Sequence, residues 1–327
     1  MSSFVVLIPL YQDWDAARAL LPLLDAELSR ASIAARVVFV DDASMVPVPD
    51  DIVGPRLTAI RRVDVVTLRR NLGHQRAICI GLCALATDRA YADCDGVVVM
   101  DGDGEDRASD IPRLVARFRE VGGAKLIFAR RKRRTEGLVF SVFYRTYRVL
   151  HRILTGLPVR VGNFSLIPYR YLGRLCVVSE LWNHYAAAVV HARFPTDSIP
   201  TIRGRRLFGR SKMDFVALVA HGLSAMSVFG DRIGVRSLIA TLVVGILLVI
   251  GLATTIAIRL WTPFAIPGWA TTAAGLLTLL LSQSLLLSLA FTGLIHVGRA
   301  GTTFLPARDF QWFVERVTCL WKADDPV

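Results

Sequence analysis

Up to Ala129 the chain alternates short apolar runs with stretches whose apolar residues recur at helical spacing. The runs Phe4–Leu10 (FVVLIPL), Arg36–Asp42 (RVVFVDD), Val63–Leu68 (VDVVTL), Gly96–Asp103 (GVVVMDGD) and Ala124–Ala129 (AKLIFA) predict strands. Between them, Asp15–Arg30, Gly73–Thr87 and Ser109–Val121 predict helices, the last with Ser109 as N-cap and Pro112 in its first turn. Strands that alternate with helices in this way predict an α/β domain with a mostly parallel, Rossmann-like sheet. Three strands end in polar clusters: Tyr11-Gln12-Asp13, Asp41-Asp42 and Asp101-Gly102-Asp103. In open α/β sheets ligands bind outside the carboxyl ends of the strands, so the three clusters are expected to share one crevice.

The pattern changes near residue 231. Leu238–Ile258 holds 21 residues without a charge, about 31 Å as a helix, which matches the hydrocarbon core of a bilayer. From Leu260 to Val297 Asp, Glu, Lys and Arg are again absent, and Gly268–Val297 is long enough to cross with tilt. Arg232 and Arg236 precede the first span, and Arg299, Arg308, Arg316 and Lys322 follow the second; the connection between the spans has only Arg259. The positive-inside rule then puts both termini and the α/β domain in the cytosol, with Trp261 and Trp269 at the opposite interface. The apolar run near Met1 is too short, and lacks the basic flank, for a signal peptide. The expected organisation is a cytosolic domain over 1–230, a two-helix membrane region over 231–298 and a cytosolic juxtamembrane tail over 299–327. Residues 137–155 place aromatics on one side and Arg145, Arg148 and Arg152 at helical spacing, as suits a helix in the headgroup layer or an ordinary packing helix. Residues 213–230 are a second segment of this kind.

Composition agrees with a membrane protein: 53% hydrophobic residues and a mean hydropathy of +0.46. The formal net charge is +12, yet Asp101, Asp103, Glu105, Asp106 and Asp110 crowd one stretch, Val97–Pro112. Carboxylates two apart on a turning strand end can share one hard divalent cation and leave positions for a phosphate; a solvated acidic loop has the same composition. Asp41 is placed to accept from a nucleobase N–H. Asn71–Leu82 (NLGHQRAICIGL) opens a helix whose N-terminal amides could face an anion, although many ordinary helices begin this way. Cys79, Cys83, Cys94, Cys176 and Cys319 are odd in number with no CxxC pair, consistent with a reducing compartment. His74, His151, His184 and His221 have no zinc-type spacing.

Taken in order, LIPLYQD, VDDAS, NLGHQRA, DGDGED, RRKRRTEG, GNFSL, GRSKM and the two spans resemble the family 2 glycosyltransferases of the GT-A fold. Within that family they are most similar to the polyisoprenyl-phosphate glycosyltransferases, which include the dolichol-phosphate mannose synthases. The resemblance implies an inverting, metal-dependent enzyme of the inner membrane. It would move one sugar from a nucleotide sugar (UDP-hexose first, GDP-mannose second) to a polyprenyl phosphate, undecaprenyl phosphate in a bacterium. It places donor contacts at Pro9, Tyr11, Asp13, Asp41, Asp42, Gly73, Gln75 and Gly102. Mg²⁺ or Mn²⁺ would lie on Asp101, Asp103 and Glu105, the last standing where the family usually has Gln. Acceptor-phosphate contacts fall at Arg130, Arg133, Arg210, Ser211 and Lys212. Asn163 stands where members often carry an Asp. An Asn takes no proton, but a phosphate monoester with a second pKa of about 6 is already mostly dianionic at cytosolic pH, so a general base is nearly dispensable. Expected partners are the nucleotide sugar, the lipid phosphate, an anionic bilayer and other copies of the chain in a homo-oligomer such as a tetramer, with no nucleic acid. Two rivals are a processive polysaccharide synthase, against which stand the missing QxxRW element and the small number of spans, and a non-catalytic scaffold, against which stand Asp101 and Asp103.

Overall fold

The computed structural model describes residues 3–54, 57–131, 138–157, 162–208, 215–262, 268–300 and 304–323. In chain order these form β1 (Ser3–Leu10), α1 (Trp14–Arg30), β2 (Ala34–Asp41), β3 (Ile60–Leu68), α2 (His74–Thr87), β4 (Gly96–Val99), α3 (Ile111–Glu120), β5 (Leu126–Arg131) and α4 (Leu138–Thr155). They continue with β6 (Ser165–Pro168), α5 (Leu172–Cys176), α6 (Tyr185–His191), β7 (Thr196–Thr201), α7 (Phe215–Ser227), α8 (Gly230–Trp261), α9 (Trp269–Ala300), α10 (Pro306–Asp309) and β8 (Val314–Lys322). Two compact units emerge. One joins 1–142, 159–228 and 304–327; the other joins 143–158 and 229–303.

The first unit is built on one eight-stranded sheet, ordered β7-β5-β6-β4-β1-β2-β3-β8. All five predicted strands are present, with β3, β2, β1 and β4 parallel neighbours, so their carboxyl ends lie along one edge. Period-2 alternation sorts their side chains onto two faces. Val5, Leu7, Val38, Val40, Val97 and Val99 pack with α2, α5 and α6, while Phe4, Val6, Ile8, Val37, Phe39 and Val98 pack with α1 and α3. Helix α2 lies very close to the sheet: a Cβ on Gly81 would come 2.6 Å from Val40 and 2.7 Å from Leu7, a separation only glycine allows. Two strands run against the rest. β6 inserts antiparallel between β4 and β5, and β8 closes the far edge antiparallel to β3.

Strand β8 comes from the segment that the sequence pattern leaves as a tail. Its sequence, VERVTCLWK, lacks regular alternation because most of it stays exposed; Leu320 and Trp321 cover the α1 side of the sheet only partly.

In the second unit α8 and α9, each 32 residues, are long and apolar enough to cross a membrane, and few of their residues are fully buried. Their contacts run in opposite senses along the two helices, Ser284 Oγ to the Thr241 carbonyl at 3.2 Å, Gly245 against Leu281 and Gly251 against Leu277, so they form an antiparallel hairpin. Helix α4 belongs to this unit. Arg236 of α8 donates to the Ile153 carbonyl at 2.7 Å, and His151 stands edge-on to Phe229, while Val149, Leu150 and Ile153 remain exposed.

One buried carboxylate ties α1 to the sheet. Asp25 accepts from the amides of Thr58, Ala59 and Ile60 at 2.8–3.0 Å and from the Thr58 hydroxyl at 2.9 Å. Burial pushes its carboxyl pKa up, but these donors outweigh burial and leave it below the ordinary value. A depressed carboxylate pKa stabilises the fold above the ordinary value of about 3.9 and ceases to do so as pH falls through the folded-state value. Asp25→Ala should therefore cost about 3 kcal/mol at neutral pH, because buried donors are left unpaired. A thermal-shift measurement in detergent should show a lowered Tm at pH 7, with the gap to the parent narrowing in acid.

Candidate active site

The carboxyl ends of β1, β2 and β4 bring the three acidic clusters to the same edge of the sheet, as the strand pattern predicts. Beyond β4 the chain turns through Asp101-Gly102-Asp103-Gly104. A Cβ on Gly102 would lie 3.0 Å from Ile8, and Gly104 has φ +85°, so both glycines permit a turn that larger residues would strain. Buried Asp106 shapes the same turn. Its Oδ2 accepts from the Asp101 amide at 3.0 Å and its Oδ1 pairs with Arg131 at 3.1 Å. Burial and the neighbouring Asp101 charge push the Asp106 carboxyl up to about 7 against the pull of Arg131.

Asp101 faces the start of α2, with its Oδ1 3.1 Å from His74 Nε2. Burial would raise Asp101 and lower His74. The attraction between them outweighs burial, so Asp101 falls below and His74 rises above its ordinary value. The neighbouring amides determine how His74 can bond. The Tyr185 amide donates to Gln75 Oε1 at 2.9 Å, so Gln75 Nε2 donates to Asn163 Oδ1 at 3.2 Å, and Asn163 Nδ2 faces His74 Nε2 at 3.2 Å. Nε2 lies within reach of both groups: it accepts from Asn163 in the neutral ring and donates to Asp101 in the protonated one. Asp101 Oδ1 is buried, with His74 Nε2 as its polar neighbour.

The other carboxylates are engaged. Asp103 Oδ1 accepts from the Glu105 amide at 2.9 Å, and Arg206 spans Asp103 Oδ2 at 3.2 Å and Asp13 Oδ2 at 2.9 Å. Burial, with Asp101 and Glu105 nearby, raises the Asp103 pKa. Glu105, expected among the metal ligands, is turned to Arg203 in a bidentate pair at 2.6–2.8 Å. Asp42 gives its two oxygens to the amides of Leu72 (2.7 Å) and Gly73 (2.8 Å), which sets the entry into α2; its pKa is raised by burial against those bonds. Asp41 Oδ1 accepts from the Ser44 amide at 3.0 Å. Pro9 lies in β1 beside Val40, and Tyr11 is exposed just beyond the strand. Arg130 is exposed at the end of β5, whereas Arg133, Arg210, Ser211 and Lys212 lie outside the described residues.

Four cations that matter here go unassigned in the sequence reading: His74, Arg131, Arg203 and Arg206. Strand parity could have found Arg131, since Ile127 and Ala129 face the α3 side and Arg131 continues that row. Arg203 and Arg206 lie 98 to 193 residues from their partners, in a segment without periodicity, and no local signal marks them.

A model of glycosyl transferase family 2 matches residues 5–175. The uncharacterized glycosyltransferase YkcC of Bacillus subtilis is 23% identical over 176 residues, 52% of this chain and 51% of that protein. The undecaprenyl-phosphate 4-deoxy-4-formamido-L-arabinose transferase of Erwinia tasmaniensis is 24% identical over 221 residues, 65% of this chain and 64% of that protein. The chain thus spans between half and two-thirds of the length of these relatives. Among solved structures, mannosyl-3-phosphoglycerate synthase from Rubrobacter xylanophilus aligns at 14% identity with a TM-score of 0.46, covering 71% of this chain and 74% of that one. The family match takes in more than half of the 327 residues, from β1 through α5, including all three acidic strand ends and the His74–Asn163 contact, and on that ground the chain belongs to glycosyl transferase family 2.

Proposed function

We propose that this glycosyltransferase moves a single sugar from a nucleotide sugar to a polyprenyl phosphate at the cytosolic face of the membrane, with inversion at the sugar carbon. A UDP-hexose is the favoured donor and GDP-mannose the second. The observation that carries the reading is the pair of carboxylates Asp101 and Asp103 on the turn after β4, the first buried against His74 and the second held by Arg206. Buried carboxylates side by side are costly unless cations neutralise them. The donor set fits a hard divalent ion: Asp101 and Asp103 would hold Mg²⁺ or Mn²⁺, which supplies Lewis-acid stabilisation of the departing nucleoside diphosphate.

The chain's own residues do the rest. The Tyr185 amide, Gln75 and Asn163 form a relay of hydrogen bonds that orients His74, and His74 steadies Asp101. Asn163 holds geometry rather than accepting a proton, in keeping with an acceptor phosphate that is mostly dianionic at neutral pH. Asp41 and Asp13 line the donor end. Arg130, Arg133, Arg210, Ser211 and Lys212 are assigned to the acceptor phosphate. The lipid acceptor is supported by the apolar α8–α9 hairpin and by the Erwinia relative, whose name specifies an undecaprenyl-phosphate transferase. The enzyme would span the inner membrane twice with both termini cytosolic, and would work as a homo-oligomer.

Incubation of the purified protein in lipid with Mn²⁺ or Mg²⁺, undecaprenyl phosphate and a panel of nucleotide sugars should yield one lipid-linked monosaccharide by mass spectrometry; lipid-linked chains of several sugars, or no product, would sink the reading. Asp101→Asn and Asp103→Asn should each lower kcat on the order of a thousandfold, as loss of charge stabilisation at a leaving group typically does. Lys212→Ala should raise KM for the lipid phosphate about tenfold, the loss of one charge-assisted contact, and leave KM for the donor within about twofold; an unchanged lipid dependence would remove Lys212 from the site.

A further inference from the structure

The segment Ile202–Phe208, just after β7, lies across the acidic turn and is fastened to it along its length. The Gly204 amide donates to the Glu105 carbonyl at 2.7 Å, and the Leu207 amide to the Asp103 carbonyl at 2.9 Å. Arg203 grips the Glu105 carboxylate. The packing leaves no room for side chains at two glycines: a Cβ on Gly204 would meet the Gly104 carbonyl oxygen at 2.4 Å, and one on Gly104 would meet Leu207 at 2.5 Å. This strap places the Arg206 side chain, 19% exposed, with its guanidinium between Asp103 of the β4 end and Asp13 of the β1 end. Its Nε donates to the Phe208 carbonyl at 2.9 Å, which leaves the terminal nitrogens for one carboxylate each.

From this geometry we propose that Arg206 is a resident counter-cation of the donor site, which a divalent ion must displace from Asp103 and which then passes to the donor's diphosphate. The inference rests on the metal-dependent reading above. Asp13, Asp101 and Asp103 would repel one another without a positive charge among them, and the strap supplies that charge while the site is empty. A metal ion arriving alone gains Asp103 only by breaking the Arg206 contact. An ion arriving with a nucleoside diphosphate brings two negative charges for the released guanidinium, a group whose forked N–H donors suit phosphate as well as carboxylate. Metal and nucleotide therefore help each other bind, and Arg206 is the physical source of that coupling. The same exchange keeps a free divalent ion from occupying the site without a donor.

The test is Mn²⁺ binding to the intact protein in detergent, read from the electron paramagnetic resonance signal of free Mn²⁺, with and without UDP or GDP and without any turnover. Arg206→Gln should bind Mn²⁺ alone on the order of tenfold more tightly than the parent, the effect of removing one nearby positive charge, and the extra tightening produced by nucleotide should shrink. Arg206→Lys, which keeps the charge, should stay within about threefold of the parent. Arg205→Gln makes the same charge change at an exposed neighbour in the same strap and should leave Mn²⁺ affinity within about twofold. Thermal melting identifies any variant that has lost its fold. Equal or weaker Mn²⁺ binding in folded Arg206→Gln, or equal tightening in Arg205→Gln, overturns the role given to Arg206 and leaves the metal reading standing. If neither parent nor variants bind Mn²⁺ even with nucleotide, the metal reading itself falls, and this inference with it.

Discussion

Four carboxylates, Asp13, Asp101, Asp103 and Asp106, stand at the ends of two adjacent parallel strands, where they cannot all remain ionised unless cations are interleaved among them. The fold supplies three from distant parts of the chain. His74 from the start of α2 meets Asp101, Arg131 from the end of β5 meets Asp106, and Arg206 from the segment after β7 spans Asp13 and Asp103. Each comes from a different connection, so the charge balance of the site depends on the whole sheet being assembled. Burial makes the balance sharp, because in a low-dielectric crevice an unpaired charge costs far more than at the surface.

Around this balance the polar residues divide their work. Some shape backbone. Asp42 closes the turn into α2 with both oxygens, Asp106 holds the first amide of the acidic turn, and Asp25 anchors α1 to the entry of β3. Others orient a neighbour. Gln75, held by the Tyr185 amide, forces Asn163 to present its N–H to His74. A carboxylate at position 163 would leave the Gln75 donor satisfied but add another negative charge beside Asp101. The chain meets its need for positive charge with arginines instead, and the pair formed by Arg203 and Glu105 follows the same logic.

The strongly basic composition and the acidic turn thus belong to one design. Part of the excess of arginine is consumed within the crevice, and part lies on α4 and the start of α8, where Arg148, Arg152, Arg232 and Arg236 flank an apolar hairpin. A net charge alone would not have distinguished these uses. The internal arginines are recognised by their burial and their carboxylate partners.

From the sequence alone come the five parallel-type strands and their helices, the convergence of three acidic strand ends, and the two long apolar helices, since each rests on local periodicity or on a long uncharged run. Those signals are local because burial of a strand or helix face imposes its own repeat. Three things were decided only in the folded chain. β6 and β8 join the sheet antiparallel, and β8 does so as a mostly exposed edge strand that carries no alternation to read. Glu105 turns away to Arg203, and Asp42 is occupied with the α2 turn, because the partners that claim them lie far along the chain or on its backbone. Arg131, Arg203 and Arg206 become part of the site through pairings between residues 25 to nearly 200 positions apart. Charge pairing is set by distance in space and has no repeat along the chain, so tertiary structure alone decides it.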